Sequence, residues 1–138
     1  IYGSQSIVGT IDLHKSLFSS KYRIKTHSGI LRRTLDLSEV VSYCEELGVG
    51  EIIINNINRD GTWQGFDVEL LKTLTVNASV PIVAVGGAGS LSDIKEAVRA
   101  GGASAVCIGS MAVFQSKGMG VLIKFPKSSE LENLFETK

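Results

Sequence analysis

The stretch that decides the fold is IIINNINRDGT, at residues 52–62. It opens with three β-branched apolar residues, which are typical of a strand that is buried on both faces. Asn, Arg, Asp and Gly residues follow, and a helical pattern begins just beyond them at Phe66. Because polar side chains between a buried strand and a helix would make a poor core, residues 55–62 predict a binding loop.

Short, β-branched apolar runs predict four strands, at residues 7–11, 52–55, 82–85 and 105–108. Helical patterns separate these strands, and each pattern has one apolar stripe. The stripes are Val40, Val41, Cys44 and Leu47, then Val68, Leu71 and Leu74, then Ile94, Ala97 and Val98. A regular alternation of β and α elements predicts a parallel sheet with right-handed crossovers.

Two helix starts are also predicted. Ser90 with Asp93 three residues later has the spacing of a capping box, in which each residue satisfies a backbone N–H of the other. We therefore expect the third helix to begin after Ser90. The last helix is predicted at residues 129–135, with Ser129 or Ser128 as its cap.

The connection that follows the first strand is unusually long, with 24 residues between Asp12 and the first helix. Within it Tyr22, Ile24 and Thr26 alternate with charged residues, which predicts a small hairpin inserted at about residues 16–35. A long insertion after a strand is more often a functional loop than a core element.

Four consecutive βα units predict one α/β domain, residues 1–138, that is half of a TIM (βα)8 barrel. An eight-stranded barrel of this kind runs to about 250 residues. An isolated half would expose two strand edges and one apolar sheet face, and such edges invite pairing with another chain. We therefore expect a homodimer that completes or imitates a barrel. The alternative fold is an open flavodoxin-like sheet, which needs helices on both faces.

The composition is that of an ordinary globular domain, with 43% hydrophobic and 20% charged residues. Fourteen acidic residues balance fourteen basic ones, so no nucleic-acid partner is predicted. No apolar run approaches the length of a membrane span, and no signal peptide opens the sequence. A cytoplasmic enzyme or part of one is the expectation. The first residue is Ile1, which indicates a fragment, a trimmed tag or a processed product.

The thiols and imidazoles give no sign of a metal or cofactor. Cys44 and Cys107 are interpreted as buried, reduced core residues. His14 and His27 are interpreted as loop or packing residues, because no neighbouring Cys, His or carboxylate ladder accompanies them. We therefore predict no metal site and no cofactor.

Asp12 ends the first predicted strand and is the first candidate for chemistry. Catalytic groups of βα barrels lie at the carboxyl ends of their strands, where burial would suit a carboxyl group to acid or base work. A capping or loop-bonding role is the alternative. Asn55 and Asn56 end the second strand, and at least one must point into the barrel mouth because side chains alternate along a strand.

Glycine-rich loops follow the third and fourth strands. Gly86 and Gly87 open the first of these loops, and Gly109 and Ser110 form the second. Glycine lets the backbone approach a ligand closely, and backbone N–H groups at the start of a helix suit an anion. Because phosphate sites in these barrels are often built by two consecutive loops near the last strands, the sequence predicts a phosphorylated small-molecule substrate.

The runs at residues 51–62, 81–89 and 105–110 resemble the cyclase subunit of imidazole glycerol phosphate synthase, a histidine-biosynthesis enzyme. The resemblance reaches nearly the whole chain, to about Phe114, but covers only the carboxyl-terminal half of that (βα)8 barrel. Leu17, Phe18 and the tail at residues 120–126 look more like relatives from surface-polysaccharide clusters, which are thought to support amidation of a sugar.

The resemblance implies a lyase-type cyclase reaction. Enzymes of this family take ammonia from a partner glutaminase and join it to a phosphorylated ribulosyl aminoimidazole-carboxamide nucleotide. Two aspartates act as acid and base. One lies on the first strand of the full barrel, outside the half that this chain resembles, and Asp12 matches the other. A glutaminase subunit is therefore a possible partner of a full-length parent.

The resemblance also assigns roles in binding. One substrate phosphate would be held by residues that match Asp60, Gly61, Gly87, Gly109 and Ser110. Ser28 matches a serine in a mobile loop, and Glu51 matches one member of the charged gate through which ammonia enters at the bottom of the barrel.

Two positions depart from the family. Asn55 stands where the family carries a small hydroxyl residue near the reacting centre, and Val85 replaces a serine. These departures put the usual substrate in question. The resemblance implies that the chain alone binds phosphate without cyclase turnover, because half of the acid–base pair is absent. Two alternatives remain: a non-catalytic module that pairs with a separate amino-terminal half, and the sister phosphosugar isomerase of the same pathway.

Overall fold

The computed structural model describes residues 3–16, 21–26, 31–33 and 37–136. A single 3-10 turn at Ser4–Ser6 precedes the first strand. The strands are β1 (Val8–Lys15), β2 (Tyr22–Thr26), β3 (Leu31–Arg33), β4 (Glu51–Asn56), β5 (Ile82–Val85) and β6 (Ala105–Val106). The helices are α1 (Leu37–Glu46), α2 (Val68–Thr75), α3 (Leu91–Arg99), α4 (Ser110–Val113) and α5 (Ser128–Phe135).

The strands form one six-stranded sheet in the order β3-β2-β1-β4-β5-β6. The four strands β1, β4, β5 and β6 are parallel and lie side by side in chain order. This order confirms the predicted run of βα units. It differs from the flavodoxin-like alternative, in which the strand order reverses at a switch point.

Strands β2 and β3 form a hairpin that lengthens the sheet. Strand β2 pairs antiparallel with β1, and β3 pairs antiparallel with β2. Part of the predicted insertion at about residues 16–35 lies outside the described residues, namely residues 17–20, 27–30 and 34–35. These ranges include Leu17, Phe18, His27 and Ser28.

The helices cover one face of the sheet. That face carries the apolar cluster packed against α1 and α2, whose strand members are Ile11, Leu13, Ile24, Ile52, Ile54 and Ile82. Side chains alternate along each strand. The opposite face, which we call the open face, therefore carries Thr10, Asp12, Ile53, Asn55 and Val85, aligned by the pairing of β1, β4 and β5.

Two predicted strands and the predicted burial of two cysteines need correction. Strand β1 does not end at Asp12 but continues to Lys15, because β2 supplies an antiparallel partner for residues 12–15. Strand β6 is only two residues long. Cys107 is exposed rather than buried, since it follows exposed Ala105 on the side of the strand away from α3, and Cys44 is only half-buried.

The helix caps were predicted with mixed success. Ser90 caps α3 as predicted: its Oγ accepts from the Asp93 N–H at 3.3 Å, and the Asp93 carboxylate accepts from the Ser90 N–H at 2.8 Å. Neither Ser128 nor Ser129 caps α5. The Glu130 carboxylate accepts from the Lys127 N–H at 2.8 Å, so the cap lies one residue earlier than predicted.

Replacing Ser90 with alanine is expected to lower the free energy of unfolding by about 1 kcal/mol, the usual cost of losing a helix cap. Ser92→Ala is the matched control, because Ser92 is an exposed residue inside α3, where alanine is the better helix former. Urea denaturation of both variants measures the difference. Equal midpoints for the two would show that the cap contributes nothing.

None of the helices within the described residues is long and apolar enough to cross a bilayer.

Candidate functional site

Three loops gather at the carboxyl ends of the parallel strands: the β4 loop (residues 57–65), the β5 loop (residues 86–89) and the β6 loop (residues 107–110), which includes the first residue of α4. The Gly65 N–H donates to the Gly87 carbonyl at 2.8 Å, which joins the first two. A Cβ added to Gly61 would lie 4.0 Å from the Ser110 hydroxyl oxygen, so the β4 loop also reaches the start of α4. The β4 loop thus contacts both the β5 loop and the start of α4.

Asp12 and Asn55 lie opposite each other on the open face, as Cα partners in the pairing of β1 and β4. The Asn55 Nδ2 donates to the Asp12 Oδ1 at 3.0 Å. Both residues are half-buried. The amide thus holds the carboxylate in a fixed orientation on the face that corresponds to the inside of a barrel.

The other end of the Asn55 amide has no partner. Its Oδ1 is buried and accepts no hydrogen bond from any described residue. A Cβ on Gly86 would lie 3.3 Å from this oxygen and 2.6 Å from the Asn56 carbonyl oxygen. Gly86, at φ +93, therefore leaves the room that the Asn55 side chain occupies beside Asp12.

Gly87 is required by the packing of the β5 loop. Its φ is +110, and an added Cβ would lie 2.2 Å from the Gly65 carbonyl oxygen. No rotation of a flexible side chain could relieve such a contact, because the clashing atom belongs to the backbone. Gly87 therefore permits the close approach of the β4 and β5 loops.

Several backbone donors at these loops are free. The N–H groups of Gly61, Gly87 and Ser110 have no acceptor within the described residues. The N–H groups of Gly89 and Ser90, by contrast, both donate to the Asp93 carboxylate. The first turn of α3 is thus already occupied by its own capping box, and the free donors are contributed by three separate loops.

A polar network behind the β4 loop was not predicted. The Asp67 carboxylate caps α2 by accepting from the Leu70 N–H at 3.2 Å, and it also accepts from the Asn56 Nδ2 at 3.1 Å and from the Tyr22 hydroxyl. The Arg59 Nε lies 4.0 Å from the same carboxylate. The position of Asp67 just before an apolar helical stripe was a readable cap signal, whereas nothing local to Tyr22 indicates its contact with Asp67.

The hydroxyl group of Tyr22 has a perturbed pKa in this network. Partial burial, followed by the hydrogen bond to Asp67, raises the pKa of the Tyr22 hydroxyl above its usual range. A tyrosine in an unfolded chain titrates near about pH 10. The stability that this shift adds is therefore complete below that pH and is lost as the pH rises above it.

We accordingly expect the free energy of unfolding to fall more steeply above about pH 10 for the unmodified chain than for Tyr22→Phe. Urea denaturation at several pH values gives the free energy of unfolding against pH for both proteins. Parallel curves would mean that Tyr22 keeps an ordinary pKa.

Other residues singled out from the sequence lie apart from these loops or are exposed within them. Glu51 begins β4, at the opposite end of the strand from Asn55, and pairs with Val8. Asp60 and Gly109 are exposed. His14 is half-buried on the open face, two residues beyond Asp12. The described residues contain no group of three His, Cys, Asp or Glu side chains that could hold a metal ion.

Four βα units with strands in chain order, helices on one face and loops gathered at the carboxyl ends define half of a (βα)8 barrel. Those loops lie at the end where ligand sites of such barrels are found. The chain belongs to the family of histidine biosynthesis proteins, whose family model matches residues 1–117. The predicted family resemblance is confirmed.

Named relatives agree with this assignment. The chain is 39% identical over 133 residues to a Leptospira borgpetersenii protein named putative imidazole glycerol phosphate synthase subunit HisF, covering 96% of this chain and 52% of the relative. It is 38% identical to the Pseudomonas aeruginosa putative subunit hisF2, covering 95% and 52%. It is 33% identical to the Petrotoga mobilis subunit HisF, covering 90% and 50%. The chain thus spans about half the length of the curated relatives it matches.

Proposed function

We propose that the chain is the carboxyl-terminal half of a cyclase-type barrel, that its β4, β5 and β6 loops hold a phosphate of a small-molecule substrate, and that Asp12 is a general acid or base. The observation that carries the proposal is the set of free N–H groups at Gly61, Gly87 and Ser110. Donors from three loops suit the several oxygens of one phosphate.

The electrostatics of the loops favour an anion. Backbone N–H groups carry partial positive charge, and such groups in tight glycine turns form anion-binding concavities. Asp60 is the exception, because its carboxylate would repel a phosphate. Its role in this proposal is to accept from a hydroxyl or amine group of the substrate next to the phosphate.

Asp12 and Asn55 supply the reactive part of the site. Asp12 is held on the open face by the Asn55 amide at 3.0 Å, so a substrate over this face would meet an oriented carboxylate. Asn55 and Val85 stand where the family carries hydroxyl side chains, and Val85 lies next to Asn55 in the sheet. The proposed substrate is therefore a phosphorylated compound that makes fewer hydroxyl contacts here than the usual cyclase substrate.

Turnover would require the rest of a barrel. The second aspartate of the family's acid–base pair lies on the first strand of the full barrel, so we expect these 138 residues alone to bind phosphate without cyclisation. Glu51 lies at the amino end of β4, the end at which the family admits ammonia. In a complete barrel it would line that entrance, and a glutaminase subunit would supply the ammonia.

Calorimetric titration with glycerol phosphate tests the binding proposal. We expect a dissociation constant of about 1 mM or tighter for glycerol phosphate and no measurable heat with glycerol, which lacks the phosphate. Equal weak responses to both compounds, or competition by any small anion with the same affinity, would refute a dedicated phosphate site.

A second candidate function is assembly with a separate amino-terminal half. The observation that favours it is uncovered apolar surface: Val8 on the open face is 50% exposed, and Val121, Ile123 and Phe125 after α4 are 69%, 81% and 66% exposed. Monomeric proteins seldom leave such clusters uncovered. A homodimer would cover the same surface with a second copy.

Light scattering separates these assemblies. The chain alone, and the chain mixed with the amino-terminal half of the Leptospira borgpetersenii relative, are compared by solution mass. A 1:1 complex with that half supports the assembly function, and a doubled mass of the chain alone supports the homodimer. A monomer in both samples would contradict both.

A further inference from the structure

Two contacts of Tyr22 connect the inserted hairpin to the β4 loop and to Asp67, which follows that loop. In the first, the Tyr22 hydroxyl donates to the Asp67 carboxylate across 45 residues of sequence. In the second, the Lys15 ammonium lies 5.2 Å from the centre of the Tyr22 ring, and the backbone of Lys15 is bonded to the β4 loop.

The Lys15 backbone is held by the side chain of Asn58. The Lys15 N–H donates to the Asn58 Oδ1 at 2.6 Å, and the Asn58 Nδ2 donates to the Lys15 carbonyl at 3.1 Å. The Asn58 side-chain amide thereby extends the hydrogen bonding between β1 and β4 beyond Leu13 and Asn56, the last backbone pair of these two strands. The start of the β4 loop is fixed to the sheet by this pair of bonds.

Asp67 transmits the Tyr22 contact to the rest of the loop. Asn56 makes two hydrogen bonds here. Its Oδ1 accepts from the Asn58 N–H at 3.1 Å, and its Nδ2 donates to the Asp67 carboxylate. Arg59 lies beside Asp67, and its Nη1 donates to the carbonyls of Gln64 and Gly65 at 3.0 and 3.1 Å. Both ends of the β4 loop are therefore tied to one carboxylate.

We propose that Tyr22 is a positioning residue of the phosphate site: through Asp67 it makes the inserted hairpin part of the structure that holds the β4 loop against Gly87 and Ser110. The consequence is that affinity for a phosphorylated ligand depends on a hydroxyl group that does not touch the ligand. This inference rests on the proposed phosphate site, and it adds the hairpin to that site.

The packing explains why this hydroxyl matters. Asn56 is 4% exposed, and Asp67 is a partly buried carboxylate that accepts hydrogen bonds from Tyr22, Asn56 and Leu70. Without the Tyr22 hydroxyl, Asp67 keeps its bonds to Leu70 and Asn56 but loses the donor from the hairpin. The Arg59 guanidinium then has freedom to move toward Asp67 and away from the carbonyls of Gln64 and Gly65.

The test compares Tyr22→Phe with the unmodified chain and with Tyr43→Phe. Tyr43 is an exposed tyrosine of α1, so its variant makes the same chemical change away from the network. We expect the dissociation constant for glycerol phosphate to rise roughly 3- to 10-fold in Tyr22→Phe, the factor that corresponds to one net hydrogen bond, and to stay unchanged in Tyr43→Phe. An unchanged affinity in Tyr22→Phe would overturn the proposal.

A second measurement needs no ligand. Amide hydrogen exchange at Thr62 and Gly65, whose N–H groups bond to the Arg59 and Gly87 carbonyls, reports the order of the β4 loop. We expect faster exchange at both in Tyr22→Phe than in Tyr43→Phe, and equal rates would overturn the proposal. If the unmodified chain fails to bind glycerol phosphate, the proposed function fails and this exchange measurement alone decides the role of Tyr22.

Discussion

Replacing Gly87 with alanine is expected to abolish phosphate binding and to lower the free energy of unfolding by about 3 kcal/mol or more. A φ of +110 is nearly restricted to glycine and costs other residues roughly 1–3 kcal/mol. The added methyl group would also lie 2.2 Å from the Gly65 carbonyl oxygen, which forces the β4 and β5 loops apart. Calorimetric titration and urea denaturation measure the two effects.

Gly118→Ala separates backbone strain from the clash. Gly118 also has a positive φ, +76, but an added Cβ would meet nothing within 4 Å. We expect this variant to lose about 1–2 kcal/mol and to bind phosphate normally. If Gly87→Ala were no less stable than Gly118→Ala and bound glycerol phosphate as well, the close approach of the two loops would have no role in the site.

Replacing Asp12 with asparagine is expected to lower cyclase activity roughly 10²- to 10⁴-fold, the usual contribution of a general acid or base. The assay uses the chain fused to the amino-terminal half of the Petrotoga mobilis relative, with ammonium ions as the nitrogen source. Because Asp12 lies on the open face and the free N–H groups lie in the loops, phosphate affinity should not change.

Glu46→Gln is the control for Asp12→Asn, since Glu46 is an exposed carboxylate at the end of α1. It should leave both activity and affinity unchanged. Activity of the Asp12→Asn fusion within tenfold of the unmodified fusion would contradict an acid–base role and would favour the structural role in which Asp12 only pairs with Asn55.

The fold could be predicted because its signals are local. The run at residues 52–54 and its counterparts at β1 and β5 are short, β-branched and bounded by glycine or polar residues, so each identified a buried strand. The Ser90–Asp93 spacing located the start of α3 to the residue. Strand ends were less predictable: β1 extends past Asp12 because β2 pairs with it, and that pairing depends on residues distant in sequence.

The shape of the β5 loop was predictable because glycine itself was the signal. Gly86 and Gly87 have the positive φ values that a tight loop requires. The network of Tyr22, Asn58 and Asp67 was not predictable, because its contacts join residues 43 and 45 positions apart. No periodicity or motif reports such a pairing before the fold is known.

The central claim is that the β4, β5 and β6 loops form one phosphate site. Its most direct test is a titration of the isotopically labelled chain with glycerol phosphate, followed by amide-resolved NMR. We predict saturable shift changes concentrated at the amides of Gly61, Gly87 and Ser110, all with one dissociation constant. Shift changes confined to surface lysines and arginines, or different constants for the three loops, would contradict the claim.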